Sequence, residues 1–204
     1  DRGRAVVEGD NRYHAVLGNR GPAKFVSASR LAPAMISFEA QVRVIGPTAN
    51  DETFMPLEEL YQTPHDEQSR ENTLLPKQVV THVILPPDRG DLSAAYEVRH
   101  GEGPDPPLAP AAVTLEAADG VVRDARVVLG QVAPIPWISE AAARALIGRP
   151  ITHETAEIAS TEAMAGVMPL SENQYKVELA QVAVRRAIGL AAGLGQAAAL
   201  AGGR

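Results

Sequence analysis

Residues 111–129 read AAVTLEAADGVVRDARVVL, and this stretch decides the fold. Two runs rich in Ala, Val and Leu flank the dipeptide Asp119-Gly120. A two-residue Asp-Gly connection suits a type I′ turn, whose central residues both need positive φ. The pattern predicts a β-hairpin with strands over 111–118 and 121–129, turning at Asp119-Gly120.

Three helices are predicted downstream. Ser139 can cap the first, which stops at Gly148. Thr152 can cap the second, which runs through about residue 165. Ser171 and Gln174 have capping-box spacing for the third, with Leu170 and Tyr175 placed as a hydrophobic staple. This helix passes Leu179, Val182, Ala183 and Arg186 and reaches residue 188 or beyond. In residues 189–204, alanines favour helix and glycines oppose it, so fraying is expected there.

Upstream the elements are shorter and Pro and Gly more frequent. Ser29 can cap a short helix over 31–38, with Pro33 tolerated in its first turn. Residues 39–45 alternate, with Ala40, Val42 and Val44 on one face and Gln41 and Arg43 on the other, as a half-buried strand requires. Residues 56–60 read as one helical turn led by Pro56, and 62–72 as a polar surface loop. Residues 78–85 are a β-branched strand stopped by Pro86-Pro87. Residues 86–91 form the expected linker between a region 1–88 and a region 92–204, whose first strand is read over 94–99. The fold class is α+β.

Composition narrows function by exclusion. The 204 residues, 45% hydrophobic and 22% charged, describe a folded, globular chain. A net charge of −6 gives no broad attraction to nucleic acid or an anionic membrane, and neither is expected as a partner. The absence of cysteine excludes thiolate metal sites and a cysteine nucleophile within these residues. No apolar run approaches the roughly 20 residues that span a bilayer. No P-loop, dinucleotide Gly fingerprint, metal-spaced His pair or Ser/His/Asp arrangement is legible. The first residue is Asp1, so a processed, trimmed or fragmentary N-terminus is expected.

Function is read from a resemblance. GDNRYHA (9–15), VSASRLAPA (26–34), LLPKQVV (74–80), DARVVLG (124–130) with VAP (132–134) and Pro136-Trp137, and PLSENQYKV (169–177) with Arg185-Arg186-Ala187 are its carriers. Together they resemble the FAD-binding medium subunit of the molybdenum hydroxylases, the xanthine dehydrogenase and carbon monoxide dehydrogenase family. The resemblance covers that subunit's C-terminal two-thirds. It implies the remainder of a PCMH-type FAD-binding subdomain over 1–88. Over 92–204 it implies a domain like the CO dehydrogenase flavoprotein C-terminal domain, a small antiparallel sheet with a three-helix bundle. It further implies an electron-transfer subunit, passing electrons from iron–sulfur clusters to an acceptor. The implied partners are a molybdenum-cofactor large subunit and an iron–sulfur small subunit. The implied compartment is the cytoplasm, with the periplasm also open.

The implied cofactor-binding residues are Asn11, His14, Ser27, Ser29 and Val80. Each has a structural reading beside the functional one: a tight-loop hydrogen bond for His14, helix capping for Ser29, a core strand position for Val80. The sequence also departs from the family. Arg30 stands where the family usually carries a flavin-contacting Asp, Glu97 where some members carry a Lys near the flavin ring, and Ala23 close to a cluster-ligating Cys of some members. The Gly-rich pyrophosphate loops of the family lie upstream of the stretch that Asp1 opens. The chain by itself is therefore not expected to bind FAD tightly. The competing reading is a non-catalytic docking or assembly subunit that has lost flavin. Glu58-Glu59 is read as a solvated turn, Trp137 as a cover for the helical bundle, and Arg185-Arg186 as cations favoured at a helix end.

Overall fold

The computed structural model describes residues 6–48, 50–66, 68–101 and 103–194. Strands are β1 (Gln41–Ile45), β2 (Glu52–Pro56), β3 (Val79–Ile84), β4 (Leu92–Val98), β5 (Ala109–Ala118), β6 (Val121–Leu129) and β7 (Trp137–Ile138). Helices are α1 (Ala32–Ser37), α2 (Glu140–Leu146), α3 (His153–Glu162) and α4 (Tyr175–Ala191).

The hairpin forms as its turn chemistry requires. Asp119 and Gly120 take φ of 54° and 76°, and Ala118 pairs with Val121. A register shift at Glu116/Ala117 leaves the strands otherwise in step. The hairpin is the centre of an antiparallel sheet in the order β4-β5-β6-β7. Alternate residues Ala111, Val113 and Leu115 of β5 share one core with Leu146, Ala159, Val184 and Ile188 of α2, α3 and α4, where α4 packs on β5 and α2 on β6. The opposite face of β5 is covered too: Thr114 donates to Ser37 Oγ of α1 at 3.3 Å. The first seven residues of β5 are accordingly all buried.

The second core lies under a sheet ordered β2-β1-β3. Val42 and Val44 pack on Ala32 and Ile36 of α1 and on Val128 of β6, so the two sheets share α1 as a common layer. Gly130 sits where the halves meet. A Cβ there would lie 2.8 Å from Pro110 Cγ and 2.9 Å from Pro33 Cγ, so only Gly lets both proline rings close in. Arg126 ties the same seam, donating to Ile36 O at 3.2 Å and to Glu58 at 2.7 Å.

Several expectations need correction. Residues 52–56 form β2, unread in the sequence, because Glu52, Thr53 and Phe54 are exposed and lack an alternating pattern. Glu39 takes φ 57°, so β1 begins after it. Glu58 is drawn into the Arg126 ion pair and is not simply solvated. Trp137 does pack against the core beneath the helices, as expected, from a two-residue strand paired with Leu129. Ser139 and Thr152 cap α2 and α3 as expected, with Thr155 completing a reciprocal capping box at Thr152. The Ser171–Gln174 box does not form: α4 starts at Tyr175 without a side-chain cap. Arg185 and Arg186 sit inside α4, where Arg185 pairs with Glu157 at 2.5 Å and Arg186 donates to Tyr96 Oη at 2.9 Å. Of residues 189–204, where fraying was expected, α4 takes in those up to Ala191, and 195–204 lie outside the described residues.

Candidate functional site

Three stretches far apart in sequence converge at the start of α4: residues 9–17, 130–134 and 168–176. The backbone of 11–17 is irregular, and its polar groups need partners once buried. Fixed residues supply them. Asn11 is fully buried; its Nδ2 donates to Ser171 Oγ at 2.9 Å and to Val6 O at 3.2 Å, and its Oδ1 accepts from Glu172 N at 2.9 Å. This explains the missing capping box, because Ser171 and Glu172 are turned toward Asn11. Asn173 accepts from Leu170 N at 2.6 Å and donates to His14 O and Ala15 O. Val16 and Leu17 donate backbone N–H groups to Val132 O.

Lys176 is the least expected member of this cluster. It is 1% exposed, and Nζ donates to Tyr13 O at 3.1 Å, His14 O at 3.2 Å and Gln131 O at 2.5 Å. An ammonium has three donors, so these acceptors saturate it. No described carboxylate forms an ion pair with Lys176. Burial lowers its pKa from the ordinary 10.5 to about 8. The sequence signal for this role was weak, since a Lys in the first turn of a helix normally reads as a surface residue.

The five residues singled out from the sequence fall into two groups. Asn11 and His14 belong to the cluster at α4; His14 Nδ1 is buried without a partner. Ser29 and Val80 lie around the second core. Ser29 Oγ accepts from Ala32 N at 3.1 Å and so caps the first turn of α1, while Val80 packs against the core of that half beside Tyr61. The Tyr61 phenol is pushed up by burial, partly offset by a contact with Ser29. Ser27 lies between the groups, buried, its N–H donated to Ala133 O at 2.9 Å. Tyr61 went unread because nothing local links it to Ser29.

Arg30 and Glu97, the two departures noted above, meet across 67 residues. Nε and Nη2 donate to the two carboxylate oxygens at 3.1 and 2.7 Å, a bidentate pair. Arg12 is held the same way by Asp10, at 3.0 and 2.6 Å, and the guanidinium draws the Asp10 carboxyl down to about 2. Of the basic residues between 12 and 29, Arg12 is thus neutralised locally. No grouping of three or more His, Asp or Glu suited to a metal ion occurs among the described residues. No described helix is long and apolar enough to cross a membrane.

The arrangement is an antiparallel sheet backed by three helices, with an irregular N-terminal segment stitched onto the start of the last helix. Residues 94–191 match the CO dehydrogenase flavoprotein C-terminal domain. The chain is 31% identical over 179 residues to the FAD-binding subunit PaoB of an aldehyde oxidoreductase of Escherichia coli, covering 88% of this chain and 53% of that protein. Its fold is similar to a chain of carbon monoxide dehydrogenase from Hydrogenophaga pseudoflava, with a TM-score of 0.70 at 24% identity over 81% of this chain and 57% of the other. A chain of quinoline 2-oxidoreductase from Pseudomonas putida gives 0.69 at 19% identity, over 92% and 60%. The chain spans just over half the length of these relatives.

Proposed function

We propose that this chain forms part of the FAD-binding electron-transfer subunit of a molybdenum hydroxylase-type oxidoreductase, which passes electrons from iron–sulfur clusters to an acceptor. The observation that carries the reading is the 31% identity to an FAD-binding subunit across 88% of this chain, which takes in both sheets. In this reading residues 1–88 supply part of the flavin-side subdomain. Residues 92–204 supply the C-terminal domain, and the partners are a molybdenum-cofactor subunit and an iron–sulfur subunit.

The residues present fit one wall of a flavin site. Ser27 and Ser29 offer hydroxyls and Val80 offers strand backbone, while Asn11 and His14 hold the 11–17 segment in place. They do not make a pyrophosphate cradle. The Ser27 N–H is spent on Ala133 O and the Ala32 N–H on Ser29 Oγ, so neither can meet a phosphate. A bound flavin would supply the redox chemistry; this chain's part is to position and shield it.

One observation favours the second reading, a docking or assembly subunit without flavin. The Arg30–Glu97 pair links the α1 side to β4 and commits both residues to each other. Flavin content per protein in the complete subunit, purified with whatever chains accompany it, separates the readings. Near-stoichiometric flavin that falls in Ser27→Ala and Ser29→Ala supports the first. Flavin-free protein that still carries its partners supports the second. FAD titrated into residues 1–204 alone should show no sub-micromolar binding, and stoichiometric yellow protein would overturn the partial-wall assignment.

A further inference from the structure

Strand β3 ends one side of the β2-β1-β3 sheet, and among the described residues no strand pairs with its free side. A free edge presents a row of backbone N–H and C=O groups that templates a further strand, and proteins blunt such edges with charge, proline or cover. The opposite edge of this sheet is blunted: β2 begins at Glu52, ion-paired with Arg43, and ends at Pro56. In the other sheet, β4 carries Glu97, bound to Arg30, and α4 packs along it. β3 has neither charge nor proline: it reads Val-Val-Thr-His-Val-Ile. Val79, Val83, Ile84 and the following Leu85 are 55%, 51%, 39% and 50% exposed. Residues 81–85 are exposed without a break, so both faces of the strand meet solvent. Val83 pairs with buried Val42 and so lies on the core side of the sheet, yet it stays outside the core.

The residue pattern says what the edge fits. Laid antiparallel on a second copy about a point between Thr81 and His82, Val79 meets Ile84, Val80 meets Val83, and Thr81 meets His82. Apolar residues meet apolar residues, and the polar centre meets itself. The faces agree as well. Val79 pairs with Ile45 and Ile84 with Gln41 on the outer face, while Val80 pairs with Val44 and Val83 with Val42 on the core side. A regular strand would put residues 79 and 84 on opposite faces. The register shift at Arg43/Val44, which leaves Thr81 without a partner on β1, brings them to the same face and makes the strand self-complementary. Charge favours the same direction. Lys77 precedes the strand and Asp88 follows it, so antiparallel copies bring each cation toward the other's anion, whereas parallel copies would set like charges together.

We propose that the free edge of β3 binds a second copy of this chain, the two strands joining antiparallel about a two-fold axis between Thr81 and His82 into one continuous sheet. The contact is isologous: the same patch serves both copies. Backbone hydrogen bonds across the axis supply the pairing, and Val79, Val83 and Ile84 cover one another on the two faces. The pairing takes up the backbone of Val80, which the flavin reading also uses. It therefore belongs to the flavin-free chain, the form expected of residues 1–204 alone. Self-association and flavin content are separate readouts, so either reading can fail without the other.

Sedimentation equilibrium of residues 1–204 over a range of concentrations should show a reversible monomer–dimer equilibrium. Val83→Lys sets a charge against the partner strand at an exposed site; dimerisation should weaken at least about tenfold, with melting unchanged. Phe54→Lys, on the β2 edge, should leave dimerisation as in the parent. Cross-linking reads the register, since the chain has no cysteine. Val79→Cys and Ile84→Cys, made separately and mixed, should form a disulfide between unlike copies on mild oxidation, because directly opposed residues have Cα atoms about 4.5–5.5 Å apart. Neither variant alone should cross-link, since like residues would lie on the order of 15 Å apart. A monomer at every concentration, a dimer that folded Val83→Lys leaves intact, an equal loss in Phe54→Lys, or cross-linking of either cysteine variant by itself would each overturn the assignment. So would a complete subunit that is monomeric with slow amide exchange over Val79–Ile84, because another segment of the same polypeptide would then hold the edge. Should Val83→Lys fail to fold, the parent's concentration dependence and the cross-linking still decide it.

Discussion

Replacing Asn11 tests whether the N-terminal segment is fixed to α4 by the bonds described. In Asn11→Ala the Glu172 N–H loses its acceptor, and Ser171 Oγ and Val6 O lose their donor. A stranded buried donor costs about 1–3 kcal/mol and each further net bond about 1 kcal/mol. Because Val6 is partly exposed, water recovers some of its share. The expected loss is roughly 2–4 kcal/mol, a large part of the 5–15 kcal/mol that a domain typically has. Asn11→Asp adds a sign. Its carboxylate still accepts from Glu172 N but turns an anion toward two backbone carbonyls and the Glu172 carboxylate, which accepts from Asn11 N. The folded state should therefore hold this carboxyl above its ordinary pKa. The folded form then binds the extra proton, and the variant's deficit shrinks as pH falls. Urea denaturation across pH measures both effects. Midpoints that place both variants within about 0.5 kcal/mol of the parent at neutral pH would refute the reasoning.

Gly120→Val should cost on the order of 1 kcal/mol or more, because Gly120 holds φ 76° and a β-branched residue resists it; melting equal to the parent's would count against the type I′ turn. Lys176 releases its proton near 8 when folded and near 10.5 when unfolded, so the unfolded chain binds more protons between these values. Stability should rise with pH over that window by up to about 3 kcal/mol relative to Lys176→Met. A constant difference between the two proteins from pH 8 to 10 would show that burial does not depress this group. If the segment 12–29 docks on the partner chains of the proposed function, charge reversal at Arg20 and Lys24, its Arg and Lys residues besides the neutralised Arg12, should weaken co-purification with them, as should raised salt. Unchanged recovery would remove this face as the docking surface.

The parts legible in the sequence were those written in local chemistry. Asp119-Gly120 sets its turn by its own φ preferences, and Ser139 and Thr152 cap helices that begin within three residues of them. Strands β1, β3 and β5 carry runs of β-branched or alternating residues. What escaped reading depends on partners distant in the chain. Ser171 has capping-box spacing, but Asn11, 160 residues away, claims its hydroxyl. Glu58 looks like a solvated carboxylate until Arg126 arrives from β6, and β2 exists as a strand because β1 pairs with it. The candidate site shows the same division. Its motif stretches were visible, whereas the burial of Lys176 emerges only when residues 13–14, 131 and 176 are brought together.

The measurement that tests the central claim most directly is the visible absorption spectrum of the intact native protein, isolated together with the chains that accompany it. An FAD-binding electron-transfer subunit predicts flavin bands that bleach on reduction and return with an acceptor. A preparation that holds the molybdenum and iron–sulfur partners in full amount but lacks the flavin bands, with no flavin released on denaturation, would contradict it.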